Sequence, residues 1–276
     1  MGLVMSLLNL YLISCVSMNF EDIKLVLLDV DGVLRDCSKL TYESHFIALE
    51  SYSLGADFRK SFGVEEIWHT KAIGKYNSRS DSLKAAISLI RDTTNTLNDI
   101  LQKSDAEHIL DQIVKKEITA DDEAHMLAMC DIYYDFFNLS SSKELTSIYP
   151  WAEEAIEMFS DTGVGIGVFT NSAKLSLKRD LPRSMLDAFD VVLGIGDVSD
   201  PKPSGEGIRK AASLLGIKTR EILYAGDSTV DIDAARDAGS LSAAILSGSG
   251  LKIHLENKKP DIIYNNVLEL SKSFTA

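Results

Sequence analysis

Two aspartates, Asp29 and Asp31, close the apolar run "LVLLDVDG" at residues 25–32, with Gly32 directly behind them. Residues two apart in a strand share a face, so the two carboxylates look the same way. Ionised and unpaired in a core they would be very costly. At a strand end that faces a solvated, cation-holding crevice that cost disappears, and Gly32 permits the sharp exit. An EF-hand loop is excluded, since it needs a preceding helix and a glycine at its sixth position. A second strand end offers the same chemistry. "EILYAGDSTVDIDAARDAG" runs through a glycine turn to Asp227, with Asp231 at the start of a helix. Carboxylates from two strand ends make a hard-cation site, which Mg²⁺ fills together with waters and a phosphate. Asp231 is assigned to that site, and Asp233 to the first helical turn, where the dipole favours an acid.

Two further pieces follow other strands. "GVFTNS" ends in Thr170 and Asn171, whose hydroxyl and backbone N–H groups suit an anion at a helix start; an ordinary N-cap uses the same residues. "SDPKPSGEGIRKA" sets Lys202 in a proline-flanked loop ahead of a helix, on the same side of the sheet as the aspartates.

The elements that position these groups are legible from periodicity. Strand-like runs cover Lys24 to Val30, Gly163 to Thr170, Val191 to Gly194, Ile222 to Gly226, Ser242 to Leu246 and Asp261 to Ile263. Helical stretches separate them at Trp151 to Asp161, Lys174 to Leu181, Gly205 to Leu215 and Ile232 to Ala238. This alternation predicts an α/β fold, a Rossmann-like parallel sheet covered on both faces, with ligands beyond the carboxyl ends of the strands. Residues 38–148 break the pattern with several stretches of helical spacing, an inserted all-α cap placed above the first strand end as a lid would be. Residues 19–37 and 149–276 then form the core.

In the order DxDG, T-N, K-P, GDxxxD, each after a strand, the sequence resembles the haloacid dehalogenase-like (HAD) hydrolase superfamily. "YPWAEEAIEMFSDTGVGIGVFTNS" and "GDSTVDIDAARDAG" are similar to its phosphoglycolate-phosphatase-like branch, which carries a helical cap after the first motif. The resemblance covers roughly residues 19–250. It implies that Asp29 is the phosphate-accepting nucleophile, Asp31 the general acid/base, and Thr170 and Lys202 the holders of the phosphoryl group. Asp29, the Asp31 carbonyl and Asp227 would bind Mg²⁺, with Asp231 in support. The implied activity is Mg²⁺-dependent hydrolysis of a small phosphomonoester, phosphoglycolate-like, through an aspartyl-phosphate. Close relatives often have proline where this chain has Gly205, which predicts a more flexible loop behind Lys202.

Other readings of the same fold are a metal-free dehalogenase, a sugar-phosphate phosphomutase, and a non-enzymatic binding or regulatory protein. The acids at Asp31, Asp227 and Asp231 favour phosphate chemistry over the first. The presence of both Asp29 and Asp31 disfavours the last. In the cap, Lys75, Asn77 and Arg79 are the candidates for a carboxylate or second phosphate on the substrate, before a helix capped by Ser80 or Asp81. His45, His69 and His125 lack ligand spacing and are read as surface or satisfied core residues. Trp68, Tyr133, Tyr134, Phe136 and Phe137 are read as the cap's own core, with at most a minority lining the substrate entrance.

A net charge of −13 disfavours a nucleic-acid backbone as partner. The three cysteines, Cys15, Cys37 and Cys130, form no metal-type cluster, and their odd count argues against a disulfide framework. The simplest setting is a reducing cytoplasm, as monomer or homodimer. Residues 1–18 form an apolar extension, too short for a confident membrane span and without a basic secretory start. "LISC" resembles a lipoprotein cleavage box without Lys or Arg ahead of it, and Met18 is the preferred start of the strand-first domain.

Overall fold

The computed structural model describes residues 20–275, and the expected apolar extension lies outside them. All four residues of β1 (Leu25–Leu28) have no exposed surface. A strand buried on both faces belongs in a parallel sheet between helical layers. Val26 and Leu28 pack into one apolar cluster with Ile156, Phe159 and Leu270, while Leu25 and Leu27 pack into another with Ile208, Ala211 and Ala235. That alternation is the period-two geometry of the strand.

The remaining sheet strands are β4 (Gly165–Phe169), β5 (Val191–Leu193), β6 (Ile222–Gly226), β7 (Leu241–Ile245) and β8 (Ile262–Tyr264), numbered around a short pair, β2 (Arg35–Asp36) and β3 (Ser147–Ile148). The sheet order is β5-β4-β1-β6-β7-β8, parallel throughout. Its covering helices bury one stripe each: Glu206–Leu215 buries Gly207, Ile208, Ala211 and Ala212, at the i, i+4 spacing of an amphipathic helix.

Several boundaries differ from the periodicity. The first strand stops at Leu28 rather than Val30, because Asp29 Oδ1 accepts from the Val30 N–H at 2.7 Å and takes the next amide out of the ladder. The helix expected from Ile232 begins at Thr229. Asp231 bonds back to Ser228 N (2.9 Å) and Oγ (2.5 Å), closing a capping box that starts the helix three residues before the apolar pattern does.

Between β2 and β3 the chain forms helices only, including Ser38–Glu50, Arg79–Arg91, Ala106–Glu117 and Ala120–Asn138, around their own apolar cluster with Leu49, Phe58, Tyr76, Leu83 and Met129 at its centre. β2 and β3 pair antiparallel, Arg35 with Ile148 and Asp36 with Ser147, so the two crossings into this insertion are tied to each other. The helix Arg79–Arg91 is capped by Ser78, not by Ser80 or Asp81: Ser78 is extended, and its Oγ accepts from Asp81 N at 3.1 Å. Among the described residues no helix is long and apolar enough to cross a membrane.

Candidate active site

β4, β1 and β6 are neighbours, so the residues just beyond them arrive side by side at about one strand spacing. They are Thr170, Asp29 and Asp227. The loop after β5 brings Lys202 over the same edge, where its Nζ lies 2.9 Å from Asp29 Oδ2 and 2.7 Å from Asp231 Oδ1. All four charged groups are buried. Asp231 accepts on both oxygens, from Lys202 and the Tyr224 hydroxyl on one and from Ser228 on the other. Asp227 Oδ2 accepts from Ser249 N and Oγ, both at 2.6 Å.

The sequence places a glycine where this crowding demands one. Gly32 has φ +81°, and a Cβ there would sit 2.1 Å from Asp227 Oδ2. Gly205 is a second case and corrects the expectation of a flexible loop. A Cβ at Gly205 would meet Ala238 N at 2.6 Å and Ala234 O at 2.7 Å, and its own N–H donates to Asp237 Oδ2 at 2.8 Å. The missing proline is replaced by close packing of the loop on the helix Thr229–Ala238. Asn171 serves the same loop: its side chain accepts from Lys202 N at 3.0 Å and donates to Lys202 O at 3.3 Å. Thr170 Oγ1 accepts from Ser172 N at 3.1 Å.

Oxygens of Asp29, Asp227 and Asp231 lie within 4.8 Å of one another, with one lysine among them. Burial, with repulsion from Asp231 and Asp31, pushes the Asp29 carboxyl up to about 7 despite Lys202. Burial and the neighbouring carboxylates push Asp227 well above the ordinary range. Three buried acids against one cation leave a charge deficit whose desolvation runs to several kcal/mol per uncompensated ion. An all-oxygen donor set of this kind fits a hard divalent cation, with Asp29 and Asp227 placed to hold it and Asp231 already committed to Lys202, Tyr224 and Ser228.

Asp31 stands apart. Burial alone would raise it, but the buried Arg35 guanidinium and the Ser172 hydroxyl (2.6 Å) more than offset that and hold its carboxyl below the usual value. Neither Arg35 nor Ser172 was singled out in the sequence.

The insertion roofs this edge and encloses a cavity of about 420 Å³, within the range of small-ligand sites. It rests on the core through His69 Nδ1, which donates to Ser249 O at 2.7 Å, and through Thr229 Oγ1, which accepts from Gly74 N (2.8 Å) and donates to Ala72 O (2.9 Å). Of the three cap candidates, Lys75 is ion-paired to Asp111 at 2.9 Å and Asn77 donates to Lys71 O at 3.0 Å. Arg79 lies over the Tyr134 ring, 4.6 Å from its centroid. Lys71 is an additional cation, donating to the Asn77 carbonyl, with burial pulling its ammonium down to about 8. Neither Arg79 nor Lys71 has a carboxylate ion-pair partner among the described residues. Tyr133 and Phe137 pack in the insertion's own apolar cluster and Trp68 packs with Phe136 and Phe137, as expected, while Trp68, Tyr133, Tyr134 and Phe137 also line the cavity, more of them than the sequence led one to expect. His45 is a satisfied core residue between Thr41 O (2.8 Å) and Ser82 Oγ (3.0 Å), and His125 is exposed.

Residues 80–245, more than half of the chain, match the family described as haloacid dehalogenase-like hydrolase. That span takes in Thr170, Lys202, Asp227 and Asp231. The pyrophosphatase PpaX of Bacillus cereus (strain AH820) is 34% identical over 138 residues, 50% of this chain and 64% of that relative, which is less than two thirds of its length. Among solved structures, a candidate phosphoglycolate phosphatase from Lactobacillus delbrueckii subsp. bulgaricus superposes with a TM-score of 0.70 at 20% identity, covering 91% of this chain and 98% of that one. One from Haemophilus somnus gives 0.63 at 22% identity, covering 93% and 99%. At those identities the likeness is one of fold.

Proposed function

The chain belongs to the haloacid dehalogenase-like hydrolase family, and from that premise we propose that it is a Mg²⁺-dependent phosphatase acting on a small phosphorylated metabolite. The observation that carries this reading is the placement of buried Asp29 at the end of β1, 2.9 Å from Lys202 Nζ and within 4.8 Å of Asp227 and Asp231.

Asp29 attacks the phosphoryl group and forms an aspartyl-phosphate, which divides one difficult displacement into two easier ones. Lys202 steadies Asp29 for attack and, with the Thr170 hydroxyl and the backbone N–H groups after β4, takes up charge on the phosphoryl oxygens. Bound at Asp29 and Asp227, with the Asp31 carbonyl, Mg²⁺ would offset the repulsion between a carboxylate and a phosphate dianion. Asp31 handles the protons, at the leaving oxygen in the first half and at the attacking water in the second. Asp231 and Asn171 hold Lys202 in register.

On the cap side, Arg79 and Lys71 face the cavity without carboxylate partners, which supports a substrate whose far end carries a second anionic group. Phosphoglycolate fits that description. So does a sugar bisphosphate, the substrate form a phosphomutase on this core would rebind, and that second reading rests on the same two cations. Pyrophosphate enters through the similarity to PpaX. A cytoplasmic setting and a monomeric or homodimeric state complete the proposal; the free thiols of Cys37 and Cys130 support the former.

The test is phosphate release from 4-nitrophenyl phosphate and a panel holding phosphoglycolate, pyrophosphate and sugar phosphates, with Mg²⁺ and with chelator. Metal-dependent turnover that disappears in Asp29→Asn supports the phosphatase. Conversion of a sugar monophosphate to its isomer without phosphate release supports the mutase. No reaction with any compound, in folded protein that binds Mg²⁺, overturns both.

A further inference from the structure

Asp31 is gripped from two sides. Its Oδ2 accepts from Ser172 Oγ at 2.6 Å, and its Oδ1 accepts from Arg35 Nε at 2.7 Å and again from Arg35 Nη2. Arg35 has no exposed surface at all. A guanidinium out of water needs acceptors for all its donors, and the rest of Arg35 is met from a helix across the site. Its Nη1 donates to Asp180 Oδ2 at 2.5 Å and to Ser176 O at 3.4 Å.

Asp180 does not end the file. Arg179 brackets it, Nε to Oδ1 at 2.5 Å and Nη2 to Oδ2 at 2.7 Å. The remaining nitrogen, Arg179 Nη1, donates to the carbonyls of Phe137 and Leu139, both at 2.8 Å, and to Ser142 Oγ at 2.7 Å. Those three residues lie where the chain leaves the helical insertion. Arg35 itself lies in β2, where the chain enters it. Ion pairs and, at the outer end, hydrogen bonds to the backbone therefore run without a gap from Asp31 to both crossings between core and cap.

We propose that Arg35 is the positioning residue of Asp31, clamped in turn by Asp180 and Arg179, and that this file ties the aim of Asp31 to the seating of the cap. The inference rests on the aspartyl-phosphate reading above and concerns its second half. There a water oxygen bonds to phosphorus, the water proton passes to the Asp31 carboxylate, and the bond from phosphorus to Asp29 breaks with its electron pair returning to the Asp29 carboxylate. Asp31 must face that water with a fixed carboxylate plane. A planar guanidinium fork sets such a plane, whereas a lysine supplies a single point charge. Misplacement of a reacting group by 1 Å costs about 10²-fold.

Rapid-quench kinetics with 4-nitrophenyl phosphate and saturating Mg²⁺ separate the two halves, because nitrophenolate leaves without a proton and the first half is then little dependent on Asp31. Arg35→Met is expected to lower steady-state turnover by about 10²-fold while the first turnover persists, giving a nitrophenolate burst and phosphate held on the enzyme. Arg35→Lys restores part of the second half. Arg179→Gln, at the outer end of the file, gives a smaller burst of the same kind, and carries the test if circular dichroism shows Arg35→Met unfolded. A purely structural role lowers both halves together with no burst, and that result overturns the proposal. So does turnover equal to wild type, in Arg35→Met or in Arg35→Lys. Wild-type enzyme that turns over no phosphate compound fails at the earlier step, and removes the aspartyl-phosphate reading along with this one.

Discussion

The floor and the roof of the cavity are built on opposite terms. On the floor nearly every polar group is committed: Lys202 to Asp29 and Asp231, Asp231 on both oxygens, Asp227 to Ser249, Asp31 to Arg35 and Ser172. On the roof Arg79 and Lys71 face the same space with a ring and a carbonyl for company. A committed floor suits a reaction that must proceed with little reorganisation. Two cations without carboxylates suit a wall that waits for the charge of its ligand. On the proposed function the sheet fixes the chemistry and the insertion the choice of substrate, and mutations on the two sides ought to fail differently.

The largest failure belongs to the floor. Asp29→Asn is expected to remove turnover of every substrate by roughly 10⁴-fold or more, as loss of a nucleophile does elsewhere, measured as initial phosphate release. Lys202→Met comes next, lowering kcat by about 10²- to 10³-fold, the scale of one lost electrostatic contributor. A comparable loss in KM alone would make Lys202 a binding group and blur the contrast between the two sides.

Roof mutations are expected to be smaller and selective. Arg79→Ala and Lys71→Met should lower kcat/KM for a metabolite with a second anionic group by about 10- to 100-fold, the range of a charge-assisted hydrogen bond. Turnover of 4-nitrophenyl phosphate, which has no such group, should stay within about threefold. Equal losses on both compounds would show that the roof holds the reacting phosphoryl itself.

The smallest effect concerns acid stability of the insertion. Burial, with Lys71 facing the ring, pulls His45 down to about 3, so it folds neutral. The unfolded chain takes up a proton below pH 6.5 that the folded chain refuses, so stability present above 6.5 is lost as pH falls toward 3, by up to ~1.4 kcal/mol per pH unit. Melting temperature should therefore drop more steeply between pH 7 and 4.5 in wild type than in His45→Gln. Parallel slopes would place the acid lability elsewhere.

The floor was far more legible in the sequence than the roof. Asp29, Thr170 and Asp227 each follow a strand of a parallel sheet, and strand periodicity alone puts such residues on one edge. Arg35 was not legible, because only Asp31 of its two acid partners is near in the chain, Asp180 being 145 residues away, and an i, i+4 charge pair alone does not separate a buried arginine from a solvated one. Its setting between Leu34 and the buried Cys37 was the one available signal. On the roof, Lys71, Lys75, Asn77 and Arg79 fall in a turn-rich stretch where no period decides which side chain faces inward. All four line the cavity, but Lys75 is tied to Asp111, while Lys71, passed over, has no carboxylate partner. The aromatic residues around Tyr133 were legible only by half, as core and not as cavity wall, since a helix roofing a cavity shows the same apolar stripe as one buried in a core.

The central claim is that phosphate passes through Asp29. The most direct measurement is acid quench of the enzyme during turnover of radiolabelled substrate with Mg²⁺, followed by borohydride reduction and peptide mapping. The account predicts label on the protein, with the reduced residue at Asp29 and no label in Asp29→Asn. Active enzyme that carries no label under conditions that slow the second half, or label at another residue, would contradict it.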